Sequence, residues 1–163
     1  MKYYLAGPID HEKDLGKGWR NKFKTMFDWQ YSDIIFFDPV APYHFTSVTP
    51  KISTYIYNIN MKALEQADAI IARLVKGQIS IGTPIELYHA IEWNMPIFLL
   101  TDIEKSIYMS YIMNQSCTVV RDLKSLHKAI LQYEMKCKSV CKDEEHELKD
   151  IRKYENEEYE IKG

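Results

Sequence analysis

What this chain lacks narrows its class before any motif is read. No apolar run approaches the roughly 20 residues a membrane span needs, and no signal peptide pattern precedes the first apolar segment. The expectation is a cytoplasmic protein with no membrane partner. An excess of either charge is also missing, since 21 basic residues stand against 23 acidic ones. That balance leaves no electrostatic footprint for nucleic acid. Cysteine is scarce: Cys117, Cys137 and Cys141 make an odd count without a CxxC pair. Cys137 and Cys141 share a helix face, yet no histidine cluster accompanies them, so reduced thiols are expected rather than zinc or a disulfide framework. No internal repeat is visible.

What is present is one domain's worth of chain, 163 residues, long enough for a proper core. Its 12 tyrosines read mostly as the lining of a groove or interface. Short apolar runs alternate with stretches of helical spacing. Residues 2–6, 33–37, 68–73, 96–100 and 118–120 read as strands. Helices are expected over 16–29, 53–67, 83–94, 104–113 and 125–141. This alternation predicts a parallel sheet with right-handed crossovers and helices on both faces. A first strand so close to the start suggests a central position in the sheet. Residues 38–51, with Pro39, Pro42, Tyr43, His44, Phe45 and Pro50, show neither period and read as a flap over a site. From Lys142 onward, nine acidic residues face five basic ones, which marks 142–163 as a solvated helix or tail appended to a 1–141 domain.

The chain is organised around Ser80-Ile81-Gly82-Thr83-Pro84-Ile85-Glu86-Leu87, which joins the third strand to a helix. Thr83 is a good N-cap and Pro84 suits the first helical position, which puts Glu86 third. Two accounts of Glu86 are open locally. Thr83-x-x-Glu86 is a capping box, in which the carboxylate folds back on the cap residue. Alternatively, Glu86 faces the crevice beyond the strand ends, where the positive helix end keeps it ionised for nucleophilic work.

Three separated pieces, read together, resemble one family. They are Tyr4-Leu5-Ala6-Gly7-Pro8; Tyr57-Asn58-Ile59-Asn60 with Leu64 and Ala67-Asp68-Ala69-Ile70-Ile71-Ala72; and Ser80-x-Gly82-Thr83-x-x-Glu86-Leu87-x-x-Ala90 with Asn94-Met95-Pro96-Ile97. Their order and spacing resemble the nucleoside 2-deoxyribosyltransferase superfamily, which includes the 2′-deoxynucleoside 5′-phosphate N-hydrolases. The resemblance covers roughly residues 2 to 125. It implies a flavodoxin-like or Rossmann-like three-layer sandwich on a five-stranded parallel sheet.

The resemblance also implies chemistry. Glu86 would attack the anomeric carbon of the deoxyribose, displace the base and pass the sugar to water or to a second base. Tyr4 matches a family tyrosine set against the nucleophile. Gly7, Pro8 and Ile9 form the first loop, and Asp38, Gly82 and Thr83 also face substrate. Ser80 stands where nucleotide hydrolases bind a 5′-phosphate with serine and nucleoside transferases carry Asp. Ser110 matches a second phosphate-binding serine that reaches a neighbouring subunit.

Two features depart from the family. Asn60 replaces an acid–base Asp and offers only hydrogen bonds, which leaves Asp38 or Asp10 as substitutes. The first loop lacks an arginine for phosphate; Lys13, Lys17 or Arg20 are stand-ins, each expected to be solvated. His44 and His89 are further general-acid candidates, expected to be bystanders. The expected activity is cleavage of the N-glycosidic bond of a 2′-deoxynucleoside 5′-monophosphate. Base exchange between free deoxynucleosides is the alternative, a non-catalytic nucleotide-binding module the third, and NAD glycohydrolysis a more distant option. No metal or organic cofactor is implied. Partners are a small deoxynucleotide or deoxynucleoside and further copies of the chain, in a homodimer or larger assembly built with residues 107–113.

Overall fold

The alternating pattern becomes a five-stranded parallel sheet in the computed structural model, which describes residues 1–9, 14–27, 33–40, 49–78, 80–104 and 106–139. The strands are β1 (Lys2–Ala6), β2 (Ile35–Phe37), β3 (Ala69–Leu74), β4 (Ile97–Thr101) and β5 (Thr118–Val120). Between them run α1 (Lys17–Lys24), α2 (Pro50–Glu65), α3 (Gly82–Glu92) and α4 (Ile107–Gln115), and residues 123–139 form α5. Strand order is β2-β1-β3-β4-β5, every pairing parallel. β1 is internal, as its apolar sequence predicts, with Tyr4 in register with Phe37 on one side and Ile70 on the other. The strand order reverses at β1, and open parallel sheets bind ligands in the crevice beyond such a reversal.

Alternation along the strands sends successive side chains to opposite faces. Tyr4, Ala6, Ile70, Ala72, Ile97 and Leu99 pack with Leu64 of α2, Leu87 and Ala90 of α3 and Met109 of α4. The other face is aromatic: Tyr3 lies against Phe36 and Phe98, and Phe23 of α1 and Phe27 in the turn after it set their rings 5.7 and 4.9 Å from Phe36. His127, at the start of α5, abuts Phe27 on this side at 4.7 Å. Helices thus cover both faces, and the fold is the three-layer flavodoxin-like sandwich.

Contacts divide the chain into two compact units, Met1–His127 and Lys128–Gly163. In the second, residues 128–139 are helical with Ile130 and Glu134 buried. The 141/142 boundary and the acidic segment after it lie outside the described residues, as does Cys141. Cys117 and Cys137 are free thiols. Among the described residues, no helix is long and apolar enough to cross a membrane.

Helix ends differ from the sequence expectation where a cap overrides composition. α2 starts at Pro50, not Ser53, because Thr49 accepts the Ile52 amide at 3.3 Å and proline suits the first helical position. The last two residues of the expected flap are therefore helix, and residues 41–48 lie outside the described residues. α1 stops at Lys24, where Thr25–Phe27 tighten into turns. α4 starts at Ile107 because Ser106 accepts the Met109 amide. α5 starts at 123, where Asp122 receives the Ser125 amide at 2.9 Å.

Candidate active site

α3 carries the central carboxylate, but it does not begin as the capping signals predict. Its first residue is Gly82, and Ile81 already has helical dihedrals. The Ser80 Oγ accepts the Thr83 amide at 3.3 Å and donates to Thr83 Oγ1 at 2.7 Å. Ser80 therefore does the capping expected of Thr83, and Thr83 is buried inside the first turn. This moves Glu86 from third to fifth helical residue and overturns the capping box. A carboxylate one turn into the helix no longer reaches back to the cap amide.

Glu86 instead meets the sheet. Tyr4 Oη donates to Glu86 Oε1 at 2.6 Å, a length typical of a hydroxyl bonded to a carboxylate. Tyr4 is fully buried and Glu86 is 7% exposed. The Tyr4 ring stacks on Phe37 at 5.4 Å, which holds the phenol in place. Burial pushes the Glu86 carboxyl up to about 7, while the Tyr4 hydrogen bond and the positive charge of Arg20 pull the other way. Desolvation outweighs the helix end invoked from sequence, so Glu86 is not held ionised throughout the neutral range.

The first loop is fastened from beneath by Arg20, which sequence reading left on the solvated surface. Arg20 is fully buried. Its Nη2 donates to the Gly7 carbonyl and its Nη1 to the Gly16 carbonyl, both at 2.9 Å; Nε donates to the Leu5 carbonyl at 3.3 Å. Asp38, at the end of β2, lies 3.5 Å from Nε and also accepts from Lys24 Nζ at 2.8 Å and the Val40 amide at 3.1 Å. These bonds occupy Arg20, which removes it as a phosphate ligand, and they direct Asp38 toward the cations beneath the loop. The signal for Arg20 was in the sequence: it shares a helical face with Phe23 and Phe27.

Gly7 and Pro8 are buried and Ile9 half-buried. The Trp19 ring fills the space beside Gly7, so a Cβ there would stand 2.8 Å from its Cζ2. Gly82 is exposed, with open space around it. Asn60 is buried on α2, one turn before Leu64 and on the same side, toward the layer that holds Tyr4. His89 sits one turn beyond Glu86, 3.5 Å from Tyr57 Oη and stacked on Trp93. Lys17 is half-buried. Ser110 is half-buried on α4, and its amide donates to the Ser106 carbonyl. Asp10, Lys13 and His44 lie outside the described residues. Among the described residues, no group of three His, Cys, Asp or Glu side chains is placed to hold a metal ion.

No family model and no curated protein sequence matches this chain. Solved structures do. A 2-deoxyribosyltransferase from Bacillus psychrosaccharolyticus superposes with a TM-score of 0.62 at 17% identity, over 78% of this chain and 90% of its own. A conserved protein from Enterococcus faecalis V583 reaches 0.64 at 16% identity, over 82% and 98%. A CMP N-glycosidase from Clostridium botulinum gives 0.50 at 15% identity, over 80% and 98%. The chain therefore has the fold shared by a 2-deoxyribosyltransferase and an N-glycosidase, the fold its three motifs lead one to expect.

Proposed function

We propose that this chain cleaves the N-glycosidic bond of a 2′-deoxynucleoside 5′-monophosphate, with Glu86 as the nucleophile. The observation that carries the reading is the buried Tyr4–Glu86 pair at 2.6 Å, a carboxylate isolated from water and aimed by a phenol. The ionised oxygen of Glu86 bonds to the anomeric carbon as the carbon–nitrogen bond breaks and its electron pair leaves with the base. Water then attacks the glycosyl ester, regenerating Glu86 and releasing deoxyribose 5-phosphate. The Tyr4 hydroxyl stabilises the carboxylate before attack and again when it departs.

Ser80 supports the phosphate part of this reading. Its hydroxyl lies at the amino end of α3, where amide N–H groups and the helix dipole favour an anion. Rotation of its O–H away from Thr83 supplies a donor while its lone pair keeps the Thr83 amide. The fold neighbour that acts on CMP is a nucleotide enzyme of the same architecture. Base exchange between free deoxynucleosides is the second reading, supported by the deoxyribosyltransferase neighbour. Asn60, an amide where the family has an acid, keeps the binding-module reading open.

The exposed apolar face of α4 supports assembly of the chain with itself. Ile107 and Tyr108 are more than four-fifths exposed and Tyr111 about half. On this reading Ser110 completes a neighbour's site, and light scattering after size exclusion shows a dimer or larger. A monomer sinks it.

The deciding experiment is product analysis by chromatography. Each deoxynucleoside monophosphate is supplied alone, and free deoxynucleosides are supplied with a foreign base. Base released from monophosphates only, and abolished by Glu86→Ala, establishes the hydrolase. Exchange between free nucleosides moves the chain to the transferase reading. Bound nucleotide left intact in both mixtures establishes the binding module.

A further inference from the structure

We infer that Arg20 is a positioning residue for the Glu86 site, latching the Gly7 peptide just beyond the strand that carries Tyr4. This rests on reading Glu86 as the nucleophile. The latch is geometric: one guanidinium collects the Leu5, Gly7 and Gly16 carbonyls. Two of these lie at the end of β1, just after Tyr4, so the guanidinium ties the strand carrying Tyr4 to the start of α1. Gly16 makes the close approach possible. It sits at φ +70°, and a Cβ there would fall 2.3 Å from the Pro8 carbonyl oxygen and 2.5 Å from Arg20 Nη1. Lysine cannot reproduce the latch, because one ammonium lacks the spread of a planar fork.

The charge acts in parallel. Tyr4 from β1 and Arg20 from α1 are the groups that favour ionised Glu86. Around Arg20 stand Asp38 after β2, Lys24 on α1 and Arg73 on β3. On the α2 side, Tyr57 meets His89, one turn beyond Glu86. Lys24 offsets Asp38 at 2.8 Å, which leaves the Arg20 charge less fully neutralised and felt by Glu86. Arg20 touches no reacting atom. It works through the loop and through the field.

The test measures Glu86 ionisation directly, by carbon-13 NMR of labelled glutamate carboxyls in the full chain, with Glu86→Gln assigning the resonance. Arg20→Lys keeps the charge and loses the latch; Arg20→Met with Asp38→Asn removes both the charge and the latch without leaving Asp38 ionised and unpaired, so the charge is read from the difference between the two variants. Expected for Arg20→Lys is a midpoint close to wild type with kcat reduced at least tenfold and KM little changed. Expected for the double variant is a midpoint raised by about one unit or more. A wild-type midpoint in the folded double variant overturns the inference, as does an Arg20→Lys enzyme with wild-type kcat. Failure of the nucleophile reading shows separately, as turnover that survives Glu86→Gln.

Discussion

Tyr4 Oη and Glu86 Oε1 lie 2.6 Å apart across 82 residues of sequence, and this hydrogen bond joins the central strand to the helix that carries the proposed nucleophile. A donor held on a buried carboxylate favours its ionised form, so it opposes the burial that pushes Glu86 up to about 7. Tyr4→Phe deletes the donor and keeps the ring on Phe37. A hydrogen bond to a charged group contributes about 1.5–3 kcal/mol, so the rising limb of the kcat profile moves up by about one to two pH units. An unmoved limb in Tyr4→Phe detaches this pair from the chemistry.

The same carboxylate makes stability depend on pH. Its folded value, about 7, lies above its ordinary value of 4.5. Stability is therefore fully present below pH 4.5 and is lost as pH rises through 7. Across that interval the loss is about 3 kcal/mol. Glu86→Gln keeps an acceptor for Tyr4 and removes the ionisation. Denaturant unfolding should show the variant gaining about 3 kcal/mol on wild type between pH 4.5 and 8.5. Parallel curves for the two proteins contradict a buried Glu86.

Gly7 is a position where shape decides. Its added methyl in Gly7→Ala meets the rigid Trp19 ring at 2.8 Å, and overpacking of this kind costs about 1–3 kcal/mol. Trp19→Leu should relieve most of that penalty when combined with Gly7→Ala. A double variant no more stable than the sum of the singles rules out the clash as the cause.

Ser80 separates phosphate recognition from capping. Aspartate caps a helix about as well as serine, so Ser80→Asp should keep α3 and the fold. Its charge repels a phosphate, and turnover of deoxynucleoside monophosphates should fall by about tenfold or more while free deoxynucleosides are spared. Equal losses on both substrates make Ser80 a cap and nothing else.

Sequence alone was enough for the sheet. Apolar runs such as Ala69–Leu74 and Ile97–Thr101 become buried strands under their own composition, and the alternation with helices dictates parallel pairing. It also brought Tyr4 and Glu86 forward as partners through the family resemblance. At three places the structure decided what the sequence had left open or placed differently. Thr83 lost its capping role because Ser80, folded over the amino end, reached its amide first. Glu86 turned toward β1 because a phenol from a residue 82 positions away lay within reach. Arg20 became buried because the Leu5, Gly7 and Gly16 carbonyls and Asp38 converge where its guanidinium falls. Periodicity records which face of an element is apolar, but a polar group's partners come from other elements. Burial of a charge is settled only when those partners meet in space.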